Sequence, residues 1–447
     1  MARRTAAQGY GPVEGKGMAG RTATQGYGSV GGKGKERHLY LIYNGKKKSE
    51  SGMRKIEYFP VSMKQLLVKM KDTSELMLDL GYSAVLYDDD DLAMEVIRLE
   101  EMMDVYDYHV QISAMLAART VEDAEALSGV LQIASAAEII SNAAGDIASI
   151  VHLKMGIPYE LKKDLRQAEE TVARAVVGAD SKVAGRKLDD ISFETEGGMV
   201  VIAIRRGESW IYDPEPDTEV MPGDILFARG HDEGVPLFLE MTTGRPPVPK
   251  TYQESGIGQL ERAVDIIVEM KNRSELAVGL AYTAVLFDSE EVAFEVEEIE
   301  QEMDEMKYEL QRWVLRAAKH VDDIENLRGL LHLAVSTEII SDAALKIANV
   351  VLHDIEPHPI LAMAMRESDE VITRVEIAPG AEMDGKTLED LDLETETGMY
   401  VLAVKRGGRW TYNPRAKVSL GAGDLIFTRG SKNGEELLLR MSGAKPS

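Results

Sequence analysis

Met70-Lys71-Asp72-Thr73-Ser74-Glu75-Leu76 and Met270-Lys271-Asn272-Arg273-Ser274-Glu275-Leu276 are one stretch met twice, at an offset of 200 residues. Outward from it the offset holds without a gap. Tyr82-Ser83-Ala84-Val85-Leu86-Tyr87 returns as Tyr282-Thr283-Ala284-Val285-Leu286-Phe287, and Glu138-Ile139-Ile140-Ser141 as Glu338-Ile339-Ile340-Ser341. Glu194-Thr195-Glu196, Gly223-Asp224 and Arg229-Gly230 return as Glu394-Thr395-Glu396, Gly423-Asp424 and Arg429-Gly430. Solenoid repeats run about 20–50 residues; this period is long enough for each copy to hold its own core. Any site is therefore to be sought in both halves.

Within each half the hydrophobic period changes once. Leu92, Val96, Leu99 and Met103 form one apolar stripe at helical spacing, and Ile133, Ala137, Ile140, Ala144, Ile147 and Val151 a second. With a first helix over about Ser62–Leu86, residues 53–168 read as a three-helix bundle. The period then falls to 2. Thr171–Val177, Met199–Arg205, Ser209–Tyr212 and Asp224–Arg229 are β-rich runs broken by Gly185, Gly197-Gly198, Gly207, Asp213-Pro214 and Pro222-Gly223. With a short helix at Val235–Met241, residues 169–244 read as a small α+β domain. A Pro-rich linker follows at 245–257, beginning Arg245-Pro246-Pro247-Val248-Pro249. A second bundle is expected over 258–368 and a second α+β domain over 369–447. Residues 1–52 stand apart: Gly-rich and basic, with an internal repeat of Arg4–Gly11 at Arg21–Gly28, they read as a disordered tail, and Met53 as an alternative start. Gly15-Lys16-Gly17-Met18-Ala19-Gly20 fits G-x-G-x-x-G, but no strand precedes it and no helix follows, so it is not read as a dinucleotide site.

The 447 residues are 44% apolar and 28% charged, a globular balance, and no run approaches the apolar length of a membrane helix. The absence of a secretory signal and of any cysteine agrees with a cytoplasmic address and excludes thiolate chemistry. A net charge of −25 argues against a nucleic-acid binder and suits a protein that handles cations. Catalysis finds no support: G-x-S-x-G, P-loop and H-E-x-x-H motifs are missing, and His109 and His152 align with Glu309 and Leu352. A non-enzyme is expected.

Glu100 and Asp104 lie four residues apart on one helical face and return as Glu300 and Asp304; Glu138 and Asn142 return as Glu338 and Asp342. Hard oxygen donors on neighbouring helices suit Mg²⁺, Mn²⁺, Ca²⁺ or iron, while a solvated helix face gives the same spacing. The bundles resemble PhoU domains, whose signature is an E/D-x-x-x-D motif on two helices. Glu100–Asp104, Glu300–Asp304, Glu138–Asn142 and Glu338–Asp342 match it, with Asn142 in place of an acid. That resemblance implies metal clusters on the bundle surface. Asp146 becoming Lys346 and Glu101 becoming Gln301 imply that the two sites differ in charge.

The α+β domains resemble the C-terminal domain of TrkA, from the regulators of potassium conductance. The resemblance rests on Gly185-x-x-Leu188-x-x-Ile191, Gly198–Gly207, Asp213-Pro214 and Pro222–Phe227, and on their counterparts Gly385–Leu391, Val401–Gly407, Asn413-Pro414 and Gly423–Phe427. It implies pairing of these domains, hence a homodimer, and a small ligand such as a cyclic dinucleotide between them. Candidate donors to an anion are Arg205, Arg206, Arg229, Lys405, Arg406 and Arg429; the alternative is that they are ordinary strand-end charges. Gly223-Asp224 and Gly423-Asp424 read as turns, and Trp210 and Trp410 as sheet cover. No nucleotide-binding half precedes these domains, so neither NAD nor ATP is expected. The combined resemblance implies a regulator docked on a membrane cation channel or transporter. Alternatives are a phosphate-signalling adaptor and a divalent-metal buffer.

Overall fold

The structure, a computed structural model, describes residues 47–48, 54–55, 58, 60–165, 171–191, 193, 197–207, 209–246, 258–320, 324–355 and 358–444. Of the N-terminal unit, residues 1–55, it describes one antiparallel pair, β1 (Lys47–Lys48) with β2 (Arg54–Lys55). The rest of the Gly-rich tail and most of the linker lie outside the described residues. The second unit, 56–447, is a single compact body.

Its first bundle is α1 (Met63–Tyr87), α2 (Asp90–Ala117) and α3 (Val121–His152). The acidic run makes the first turn tight. Asp88 ends α1 in the left-handed conformation (φ 55°), which Asp tolerates through local hydrogen bonding, and Asp89 caps α2 by accepting from the Leu92 amide. Thr120 and Asp123 form a reciprocal capping box on α3. Helix α3 is buried on most of its circumference, with Ala134, Ala136, Ala143, Ala144, Gly145 and Ala148 supplementing the large stripe of Ile133, Ile140 and Ile147. It must be, because it packs on α1, α2 and the matching helix of the other half.

The second bundle repeats this as α6 (Gly258–Phe287), α7 (Glu290–Ala317) and α8 (Glu325–Leu352). Helices α3 and α8 pack on each other. A Cβ on Gly329 would sit 2.1 Å from the Gly156 carbonyl oxygen, and one on Gly129 would sit 3.3 Å from Ile355 and Val350. Short helices α4 (Tyr159–Asp164) and α9 (Pro359–Glu367) each cross to the first helix of the other half.

The α+β domains follow. The first holds β3 (Thr171–Val176), β4 (Arg186–Lys187), β5 (Val200–Arg206), β6 (Ser209–Tyr212), β7 (Glu219–Val220), β8 (Ile225–Gly230) and α5 (Val235–Thr243). Its antiparallel sheet runs β3-β8-β5-β6, with a bulge between Val201 and Ala203. The second sheet, β9 (Glu370–Glu376), β12 (Leu425–Ser431), β10 (Met399–Arg406) and β11 (Arg409–Tyr412), has the same order and a bulge at the matching Val401 and Ala403. Between the strands lie α10 (Leu388–Leu391) and α11 (Leu393–Thr397), and α12 (Lys432–Ser442) closes the chain. One sheet face packs on the terminal helix: Ile204, Leu226, Phe238 and Met241 share a core, as do Val404, Ile426 and Leu438. The other face carries the aromatics. Trp210 stacks on Phe227 at 5.5 Å, and Trp410 lies 5.0 Å from Phe427.

That aromatic face meets the chain's own bundle. Tyr212 accepts from Arg98 Nη2 at 2.7 Å, Tyr87 donates to the Val172 carbonyl at 3.0 Å, and Tyr412 donates to the Glu291 carbonyl at 3.2 Å. The two α+β domains also touch each other, a Cβ on Gly198 falling 2.9 Å from the backbone of Glu394 and Thr395. The two domains thus meet within one chain.

Candidate functional site

The first acidic motif spans α2 and α3. Glu100 lies half-buried over Gly145, where a Cβ would fall 2.1 Å from its Oε2; the missing side chain makes the room. Burial, then the charges of Asp146, Asp104 and Glu138, push the Glu100 carboxyl up to about 7. Asp107, one turn on from Asp104, is raised by burial and by Glu138 and Asp104 as well. Asn142 donates to Glu138 Oε1 at 2.7 Å. The six positions 100, 104, 107, 138, 142 and 146 thus hold five acids and one amide.

The second motif, on α7 and α8, is built differently. Lys307, at the position of Asp107, donates to Asp304 Oδ1 and to Glu338 Oε1, both at 2.6 Å. Burial works against its charge, but these two bonds outweigh it and raise its pKa, while Asp304 is lowered by the same contact. Burial raises the Glu300 and Asp342 carboxyls, and the charge of Asp304 raises both further.

Among the described residues no three His, Cys, Asp or Glu side chains converge into a ready-made metal cage. The first motif nevertheless fits a hard cation in chemistry: the Glu100 carboxylate lies over Gly145 within the field of the Asp146, Asp104 and Glu138 carboxylates, and among the described residues no cation of the chain stands between them. The second does not fit, because an ammonium stands between its acids.

The six cationic candidates divide into three equivalent pairs, each facing carboxylates of the chain itself. Arg206 grips buried Asp224 with two bonds of 2.9 and 2.7 Å and also donates to the Glu219 carbonyl; Arg406 does the same with Asp424 and the Ser419 carbonyl. Asp224 accepts from the Met221 amide as well, fixing the turn before β8. Arg205 reaches Asp91 on α2 at 2.9 Å, and Lys405 reaches the matching Glu291 at 3.8 Å. Arg229 and Arg429 both approach Glu370, at 2.6 and 3.6 Å. An anionic ligand at any of these would have to displace a carboxylate.

A junction that the sequence did not announce lies at Glu370. Arg229 bridges it to Asp79 on α1 at 3.0 Å, and buried Lys71 donates to Glu75 at 2.6 Å and to the Glu370 carbonyl at 3.2 Å. Lys71 also lies over the Tyr282 ring at 5.5 Å, and Lys271, paired with Glu275, over Tyr82 at 5.4 Å. Glu370 is buried, a cost offset first by Arg229 and then by Arg429 and Lys71, which hold its carboxyl well below the usual range. Three modules meet there: the first bundle through α1, and the two α+β domains through β8, β9 and β12. The signal was available, since Lys71 and Glu75 recur as Lys271 and Glu275 in the most repetitive stretch of the chain.

The PhoU domain model matches residues 67–151 and 267–351, and the TrkA-C domain model matches 172–242 and 372–443. "Probable potassium channel protein 2" of Methanocaldococcus jannaschii is 26% identical over 76 residues, covering 17% of this chain and 22% of that protein. The match thus spans about a fifth of the channel protein's length. Similar solved structures include PhoU from Pseudomonas aeruginosa (12% identity, 65% of this chain and 94% of that one, TM-score 0.36). The RCK domain of GsuK is another (14% identity, 62% and 65%, TM-score 0.17). The chain is therefore a tandem duplication of a PhoU domain followed by a TrkA-C domain. Among the described residues no helix is long and apolar enough to cross a membrane.

Proposed function

We propose that this protein is a non-catalytic regulatory subunit of a membrane cation channel or transporter for potassium or a divalent ion. It senses a cation at the first acidic motif and passes the occupancy to the paired TrkA-C domains. Both domain families and the potassium channel relative support a regulatory role in ion transport. The observation that carries the sensing step is the crowding of Glu100 with Asp104, Glu138 and Asp146 over Gly145. A divalent cation there relieves the repulsion and so favours whichever arrangement of α2 and α3 brings the carboxylates together. Asp79 on α1 holds Arg229 of the first TrkA-C domain, and Arg229 holds Glu370 of the second. A shift within the first bundle is thereby felt at both. Coupling of this kind requires a ligand with different affinity for the two arrangements.

The experiment is a cation-uptake assay in cells lacking the chain, complemented with the wild type or with Arg229→Ala, across a range of Mn²⁺ supply. Potassium or divalent-ion uptake should depend on the chain and on Mn²⁺, with the Mn²⁺ response lost in Arg229→Ala. Uptake independent of the chain contradicts this role, and an effect on phosphate uptake alone transfers the protein to phosphate signalling.

A further inference from the structure

The two acidic motifs stand at equivalent positions of a duplicated chain, yet at two of those positions they carry opposite charge. Where positions 100, 104, 107, 138, 142 and 146 hold five acids and one amide, positions 300, 304, 307, 338, 342 and 346 hold four acids and two lysines. One lysine, Lys346, turns away and donates to Ser135 of the first bundle at 2.7 Å. The other stays. Lys307 places its ammonium 2.6 Å from a carboxylate on its own helix and 2.6 Å from Glu338 on the neighbouring one, with the Tyr308 ring 5.2 Å away. Its side chain is 14% exposed and that of Glu338 13%, so the contact is a built one and not a solvated surface pair.

We propose that Lys307 is the resident cation of the second bundle: its ammonium bridges α7 and α8 where a metal would, and it bars a divalent ion from that motif. Charge and space both argue for this. A second cation placed among Asp304, Glu338 and Asp342 would face an ammonium that already uses two of their oxygens. The chain would then hold one cation-responsive bundle and one locked bundle. The duplication would have fixed one half as a reference against which the other moves. This conclusion does not require the first bundle to bind metal, and it is tested with that bundle silenced.

The measurement is a Mn²⁺ titration of the full metal-stripped chain carrying Glu100→Ala and Glu138→Ala, with and without Lys307→Ala. Lys307→Gln is run beside it, keeping the side chain's length without its charge. With Lys307 present no saturable binding is expected. Either substitution should admit one new Mn²⁺ site, tightening affinity at least about tenfold as the local charge becomes more negative. Saturable binding with Lys307 intact, abolished by Glu338→Ala, would overturn the proposal. So would a folded Lys307→Gln that binds no Mn²⁺, since the ammonium would then not be what closes the motif.

Discussion

Arg206 and Asp224 show how a charged pair that looks like a ligand site becomes a structural brace. Asp224 is 1% exposed, and its two oxygens are shared between the Arg206 guanidinium and the Met221 amide. Arg206→Ala should strand a buried carboxylate and lower stability by about 2 kcal/mol, toward the lower end for such pairs because the guanidinium itself is partly solvated. Urea unfolding measures this, and Arg406→Ala should match it. The brace was not legible because Arg206 and Asp224 are 18 residues apart and meet only through the β5–β8 ladder. The acidic motifs were legible from their four-residue spacing, whereas the meaning of Lys307 was not. It lies outside the motif, and only the comparison with Asp107 across the duplication marks it.

Among the elements, the period switch from 3.6 to 2 placed helices and strands, because each buries one face and the pattern records which. Close approaches between elements leave a fainter trace, mostly glycine. Gly329→Ala in a solvated helix would gain about 1 kcal/mol of propensity. Here the added Cβ meets the Gly156 carbonyl, and overpacking of this kind costs about 1–3 kcal/mol. A lower melting temperature is therefore expected, and a rise would show that α8 and the turn after α3 are not held this closely. Asp72 on α1 gives an element contact with a pH signature. Its Oδ1 accepts from Ser368 and from the Asp369 amide just before β9, while its buried Oδ2 has no hydrogen-bond partner. Burial raises its carboxyl to about 6. The native state then holds the proton more tightly than the unfolded chain, so stability falls as pH rises from about 4 to about 6 and levels off above. Asp72→Asn should flatten that slope, a difference of order 2 kcal/mol at most between pH 4 and pH 7. Melting curves across this range check it.

At the scale of the molecule the duplication said that there are two of everything, but not that the copies clasp one another. Tyr82 reaches Thr337, Lys71 reaches over Tyr282, and Gly198 lies against Thr395, contacts between residues about 200 or more positions apart that no local pattern encodes. What the clasp accomplishes is to join a bundle with open acidic charge to a pair of TrkA-C domains through buried ion pairs. The most direct test is thermal melting of the metal-stripped chain against Mn²⁺, with Glu100→Ala/Glu138→Ala in parallel. A cation at about 100 times its dissociation constant adds roughly 2.7 kcal/mol of stability. We predict a clear upward shift in the wild type that the double variant lacks. An equal shift in both, or none in either, would contradict a cation sensor in the first bundle.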